Sequence, residues 1–75
     1  MVRYQVIYDF LRIRTGPSIR YECVGAYYDG DIINSGGYPF RGEDGRIWVS
    51  YSGGRTGVTR YVCYRDDSTR YLEEI

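Results

Sequence analysis

The residues best suited to chemistry in this chain are three adjacent carboxylate pairs, Glu43–Asp44, Asp66–Asp67 and Glu73–Glu74, and two cysteines, Cys23 and Cys63. Two carboxylates can cleave a glycosidic bond when they face each other across a deep cleft. Here each pair is contiguous and sits in a turn-rich or terminal stretch, where solvated charge is the simpler reading. The chain has no histidine, so neither a Ser–His nor a Cys–His nucleophile pair exists, and the usual base at neutral pH is missing. The cysteines are 40 positions apart with no histidine to complete a metal site. The run "GGRTG" (Gly53–Gly57) lacks the lysine and the following helix of a phosphate loop. No catalytic residue, metal ligand or cofactor is expected.

What remains is chemistry of recognition. Ten residues are tyrosine and ten are glycine, against an ordinary glycine share of about 7%. Tyrosine supplies rigid area with a polar tip, and glycine supplies adaptable loops, a pairing common in binding surfaces. Aromatic strands with glycine turns also suit a small β-barrel, and the two readings are compatible. All ten basic residues are arginine, which stacks on aromatic rings and forks onto carboxylates. They balance ten acidic residues, which argues against a nucleic-acid binder.

Seventy-five residues make one domain, 1–75, and a core of that size rarely supplies more than about 3–5 kcal/mol. Any site must be a surface or a shallow groove. The N-terminus "MVRYQVIYDF" alternates rather than showing a charged segment followed by an apolar block, so no signal peptide is read. No apolar run approaches the roughly 20 residues of a membrane helix, and no membrane role is expected.

The elements that must carry these residues are strands. Val2, Tyr4, Val6 and Tyr8 alternate with Arg3, Gln5, Ile7 and Asp9, and the phase shifts at Phe10 so that Leu11 and Ile13 take over the apolar face. A bulge or bend near Asp9–Phe10 accounts for the shift. "TGPS" ends that run; "ECVGAYY" and "DIINS" follow as strands, joined by the turn pair Asp29–Gly30. The stretch 36–45 reads as an aromatic loop. "RIWVSY" and "VTRYVCY" flank the glycine loop as a hairpin, with Ile47, Val49 and Tyr51 inward and Trp48 on the second face, partly covered. "RDDSTR" reads as a turn, with a single 3₁₀ turn as one option, and "YLEEI" as a closing strand. The expectation is an all-β fold of five to seven short, mostly antiparallel strands, a small barrel or sandwich. The cysteines read as free thiols, with a disulfide open if their strands adjoin.

Two blocks resemble a known family. "LRIRTGPSIRYECVGAYYDGDII" is similar to the opening of bacterial SH3-type domains: Leu11, Ile13, Arg14, Gly16 and Pro17 match its strand end, and Gly25 and Gly30 its hairpin. "DGRIWVSYSGGRTGVTRYV" resembles the second block of the SH3-type wall-binding domains of phage endolysins and lysostaphin-like bacteriolysins. The likeness spans residues 4–64. The chain departs at its end, "RYLEEI" standing where those domains carry Trp-Gly-Thr, and in the longer, more aromatic loop 36–45.

The resemblance implies an SH3-like barrel and a non-catalytic module that binds bacterial peptidoglycan, at its stem peptide or cross-bridge. Such a module directs the catalytic domain of a lytic enzyme to the bacterial cell wall, outside the cell, or waits in the host cytoplasm before release if phage-encoded. It also places Thr15 at the family's strand-end threonine and Tyr61 at its groove tyrosine. Tyr4 and Tyr8 on the first strand, and Tyr38 and Phe40 on the loop, are added as groove walls by inference. Trp48 reads as a structural wedge, and Arg12 and Arg14 as solvated cations able to meet wall carboxylates or anionic polymers. One shallow groove binds weakly, and avidity on a repeating polymer compensates. Self-association into a homo-oligomer stays open. The competing reading is an SH3-like module for a polypeptide partner; a small nucleic-acid-binding barrel is a third.

Overall fold

The alternating runs pair into two antiparallel sheets, in a computed structural model that describes residues 2–53 and 57–75. Met1 and residues 54–56, the tip of the glycine loop expected to join the hairpin, lie outside the described residues. The strands are β1 (Val2–Val6), β2 (Phe10–Arg14), β3 (Cys23–Tyr28), β4 (Ile32–Ser35), β5 (Phe40–Arg41), β6 (Ile47–Gly53), β7 (Val58–Arg65) and β8 (Leu72–Glu74). No helix occurs among the described residues, and none is long and apolar enough to cross a membrane.

Eight strands replace the expected five to seven. The first run breaks at the phase shift, giving β1 and β2. Two residues inside the loop 36–45 pair with β6 as β5, Phe40 opposite Trp48 and Arg41 opposite Ile47. "RDDSTR" forms no 3₁₀ turn. It is a side-chain-capped turn in which Asp66 Oδ1 accepts from the backbone N–H of Ser68 (2.9 Å) and Thr69 (2.8 Å).

One sheet has the order β4-β1-β8 and the other β3-β2-β7-β6-β5. The chain changes sheet twice at one corner, between β1 and β2 and between β3 and β4. The two crossings bond to each other: Gly30 N–H donates to Val6 O at 2.8 Å. Gly30 has φ 94°, a conformation that costs a side-chain-bearing residue energy, so Asp29–Gly30 turns where glycine is needed. Cys23 is exposed and Cys63 buried, both as free thiols; β2 lies between the strands that carry them.

The core forms between the sheets. Tyr4, Val6, Ile33 and Leu72 come from the small sheet, and Leu11, Val49 and Val62 from the large one. Ser35 Oγ stitches the layers by donating to Ser50 O at 2.6 Å. On the other face of β6, Trp48 is only 1% exposed, not partly covered as its position on the second face suggested. The Gly42 backbone lies against the pyrrole edge of its ring, with the Pro17 carbonyl oxygen beside Gly42, so a second small layer closes there.

Candidate functional site

The site-bearing surface is the outer face of the five-stranded sheet, and its shape follows from one imperfect pairing. β2 and β7 share a single register pair, Arg14 with Tyr61, whereas β6 and β7 pair along their length. From that pair the strands part toward Phe10 and Arg65. A cleft of about 360 Å³ opens between them, at the small end of the range of ligand pockets. Its floor is Leu11, Trp48 and Cys63, its aromatic wall Tyr8, Phe10 and Tyr71. Arg12, Arg14, Arg46 and Asp66 supply its charges.

β7 places Tyr61 at the closed end. Its ring meets Phe40 of β5 edge to face, centroids 6.3 Å apart, which is the preferred geometry for two aromatic quadrupoles. Beside them the β2 strand end runs into Thr15, whose N–H donates to Glu22 O at 3.1 Å. Gly16 then lets the chain fold under the ring of Tyr21; a methyl there would sit 2.6 Å from ring carbons. Tyr21 donates its hydroxyl to Glu43 Oε2 at 2.8 Å, which raises the phenol's pKa, and the Tyr61 phenol lies near enough to add to that rise. Phe40 and Tyr61 thus border one surface, with Arg14, the register partner of Tyr61, linking it to the cleft and Thr15 following Arg14 at the strand end.

The other predicted walls lie elsewhere. Tyr4 is 0% exposed and belongs to the core, so it is not a groove residue. It shares a face with Val6, which β-strand geometry turns to the same side. Its hydroxyl donates to Gly37 O at 3.3 Å, and burial followed by the Glu74 charge raises its pKa. Tyr38, by contrast, is 71% exposed on the loop that Tyr4 holds. Tyr8 is not on the first strand: it lies past the end of β1, in the bend at Tyr8–Asp9, and stands in the cleft with Tyr71, their rings at 4.9 Å and nearly perpendicular, and not beside Tyr61.

Sequence reasoning missed Tyr21, Glu43, Asp44, Asp66 and Tyr71. Asp44 is an acceptor for four donors: the Trp48 indole (3.0 Å), the Arg46 guanidinium (3.1 Å) and the N–H groups of Arg46 (3.0 Å) and Ile19 (3.1 Å). Burial pushes its carboxyl up, but these donors outweigh it and leave the pKa below the usual value. Asp66 accepts from the Tyr71 hydroxyl at 2.6 Å; that bond and the two turn N–H groups bring it down to about 2, while Tyr71 rises to about 12. The signal available for Asp66 was the Asp-x-Ser-Thr spacing of a capped turn.

Burial first, then the Asp66 charge, raises Cys63 to about 12, so its thiol stays protonated at neutral pH. Cys23 donates its thiol to Gly25 O at 3.3 Å. Among the described residues no group of acidic residues and cysteines is placed to hold a metal ion. The arrangement suits binding by aromatic contact, guanidinium charge and hydrogen bonding.

No protein-family model matches the chain, and no curated protein matches it. Solved structures do. The crystal structure of Ly7917 superposes with a TM-score of 0.71 and 27% identity over 97% of this chain. The crystal structure of Ly7917 with the hydrolyzing product of MDP superposes with a TM-score of 0.72 and 26% identity over 99%. In each case the chain spans 32% of the Ly7917 chain.

Proposed function

We propose that this chain is an SH3-like barrel that binds bacterial peptidoglycan, through its stem peptide or cross-bridge, and directs a lytic catalytic domain to the bacterial wall. The observation that carries this reading is the edge-to-face contact of Tyr61 with Phe40 at the β2 strand end, where Arg14 pairs with Tyr61. Thr15 and Tyr61 are the two positions that the resemblance to wall-binding SH3-type domains assigns to a groove. The likeness to Ly7917 over nearly the whole chain supports it, as does the recording of Ly7917 with a hydrolyzing product of MDP.

The physics fits the ligand. Cross-bridge peptides are thin, extended and rich in amides. Flat rings cover such a chain while hydroxyls and edge backbone groups pair its amides. Tyr38 adds exposed aromatic area on the neighbouring loop.

A second reading, binding of a polypeptide partner, draws on Glu43. This carboxylate sits at Tyr21, near Tyr61, and an acidic loop beside paired aromatics suits basic or proline-rich peptides. Sedimentation with purified Gram-positive walls separates the two. The wall reading predicts that the chain pellets with intact walls and is released when an amidase strips peptides from the glycan. A chain that ignores walls but binds proline-rich peptides contradicts it.

A further inference from the structure

The geometry points to a second binding site in the cleft between β2 and the β7–β8 turn, one that takes a carboxylate or phosphate carried on an apolar or flat body. The site is distinct from the Tyr61–Phe40 surface and stands whether or not the wall reading does.

Charge decides the ligand's sign. Three guanidiniums and one carboxylate line the cleft. Arg46 is paired with Asp44 at 3.1 Å, so its charge is already matched. Asp66 is matched as well, by the Tyr71 hydroxyl and two turn N–H groups. Arg14 gives one N–H to Tyr21 O at 3.2 Å and has no carboxylate partner among the described residues. Arg12 has none either; it lies 5.1 Å from the centre of the Phe10 ring. Arg12 and Arg14 are two apart on one strand, so both face the same side and present two unneutralised forks.

The exposed apolar lining decides the body. Leu11 and Trp48 are almost fully buried beneath the cleft, and Tyr8, 44% exposed, stands against Tyr71 at its side. An aromatic or aliphatic group can lie against Tyr8, Phe10 and Ile19, the exposed apolar residues of the lining, with its anion toward Arg12 and Arg14. Charge-assisted bonds to guanidinium favour both carboxylate and phosphate. The first would arise from a peptide terminus or acidic side chain, the second from a phosphate polymer.

The test is an NMR titration of the full chain with benzoate and phenyl phosphate, and with benzyl alcohol as the neutral analogue. Expected are saturable shifts at Leu11, Arg12 and Tyr71 with both anions, and weak ones with the alcohol. Arg12→Gln should weaken anion binding roughly tenfold, and Arg12→Lys should restore part of it. Arg12 is exposed, and a dispersed spectrum of each variant checks the fold. A preference for phenyl phosphate assigns a phosphate source, and a preference for benzoate a carboxylate source. Equal binding of benzyl alcohol, unchanged affinity in Arg12→Gln, shifts centred on Tyr61 and Phe40, or no shifts at all would each overturn the proposal.

Discussion

Trp48 donates its indole N–H to Asp44 Oδ1 across 3.0 Å, so the single tryptophan is tied to the loop that covers it. The same carboxylate holds Ile19 from the β2–β3 loop and Arg46 from its own. One side chain therefore sets the height of both loops over the sheet. Asp44→Ala leaves these donors unpaired and should cost about 2–3 kcal/mol. Asp44→Asn keeps one acceptor and should cost less. Urea unfolding measures both, and Trp48 emission in the folded alanine variant should shift red as water reaches the indole.

Gly42 permits that closure. A Cβ there would overlap Trp48 and come within 2.5 Å of the Pro17 carbonyl oxygen, a backbone atom that cannot swing aside. Gly42→Ala should lose about 1–3 kcal/mol or fail to fold. Gly36→Ala meets nothing within 4 Å and serves as the control in the same thermal melt.

Acid should loosen the β7–β8 turn. The Asp66 pKa is lowered from 3.8 to about 2 by the Tyr71 hydroxyl and then by the turn N–H groups. A carboxylate with a depressed folded pKa stabilises the fold above its unfolded value, and that contribution is lost as pH falls toward the folded one. Stability should therefore drop between pH 3.8 and about 2, with Asp44 acting in the same direction. Asp66→Asn should be less stable at neutral pH and show a shallower fall on acidification, read as urea midpoints against pH.

Much of this architecture was legible in local pattern. The alternation from Val2 to Val6, the phase shift before Leu11 and the Asp29–Gly30 turn each appear where the residues imply them. The errors come from contacts distant in sequence. Strand phase alone leaves Trp48 partly covered, but the Gly42 backbone closes against it, which no local rule places there. Tyr4 is different: its own alternation put it beside Val6, and weighting that face over its aromatic character would have assigned it to the core. Phe40 and Tyr61 are 21 positions apart, and only the β5-β6-β7 pairing brings their rings together. Arg14 reads as a strand-end residue; its place between the cleft and Tyr61 follows from one register pair.

The two thiols should differ sharply in reactivity. Burial and the Asp66 charge raise Cys63 to about 12, whereas Cys23 is exposed. Iodoacetamide at about pH 8 should modify Cys23 alone in the folded chain and both residues in denaturant. Mass spectrometry of the labelled peptides reads the result.

In the proposed wall-binding module Tyr61 meets the ligand. Tyr28 is a useful counterpart, because it is 62% exposed on β3, the far edge of the same sheet. Binding isotherms on purified Gram-positive walls should therefore be measured for the unaltered chain, Tyr61→Ala and Tyr28→Ala, with each fold checked by circular dichroism. Tyr28→Ala should bind like the unaltered chain and Tyr61→Ala roughly tenfold or more weakly. Equal binding by all three, or no binding by the unaltered chain, would contradict it.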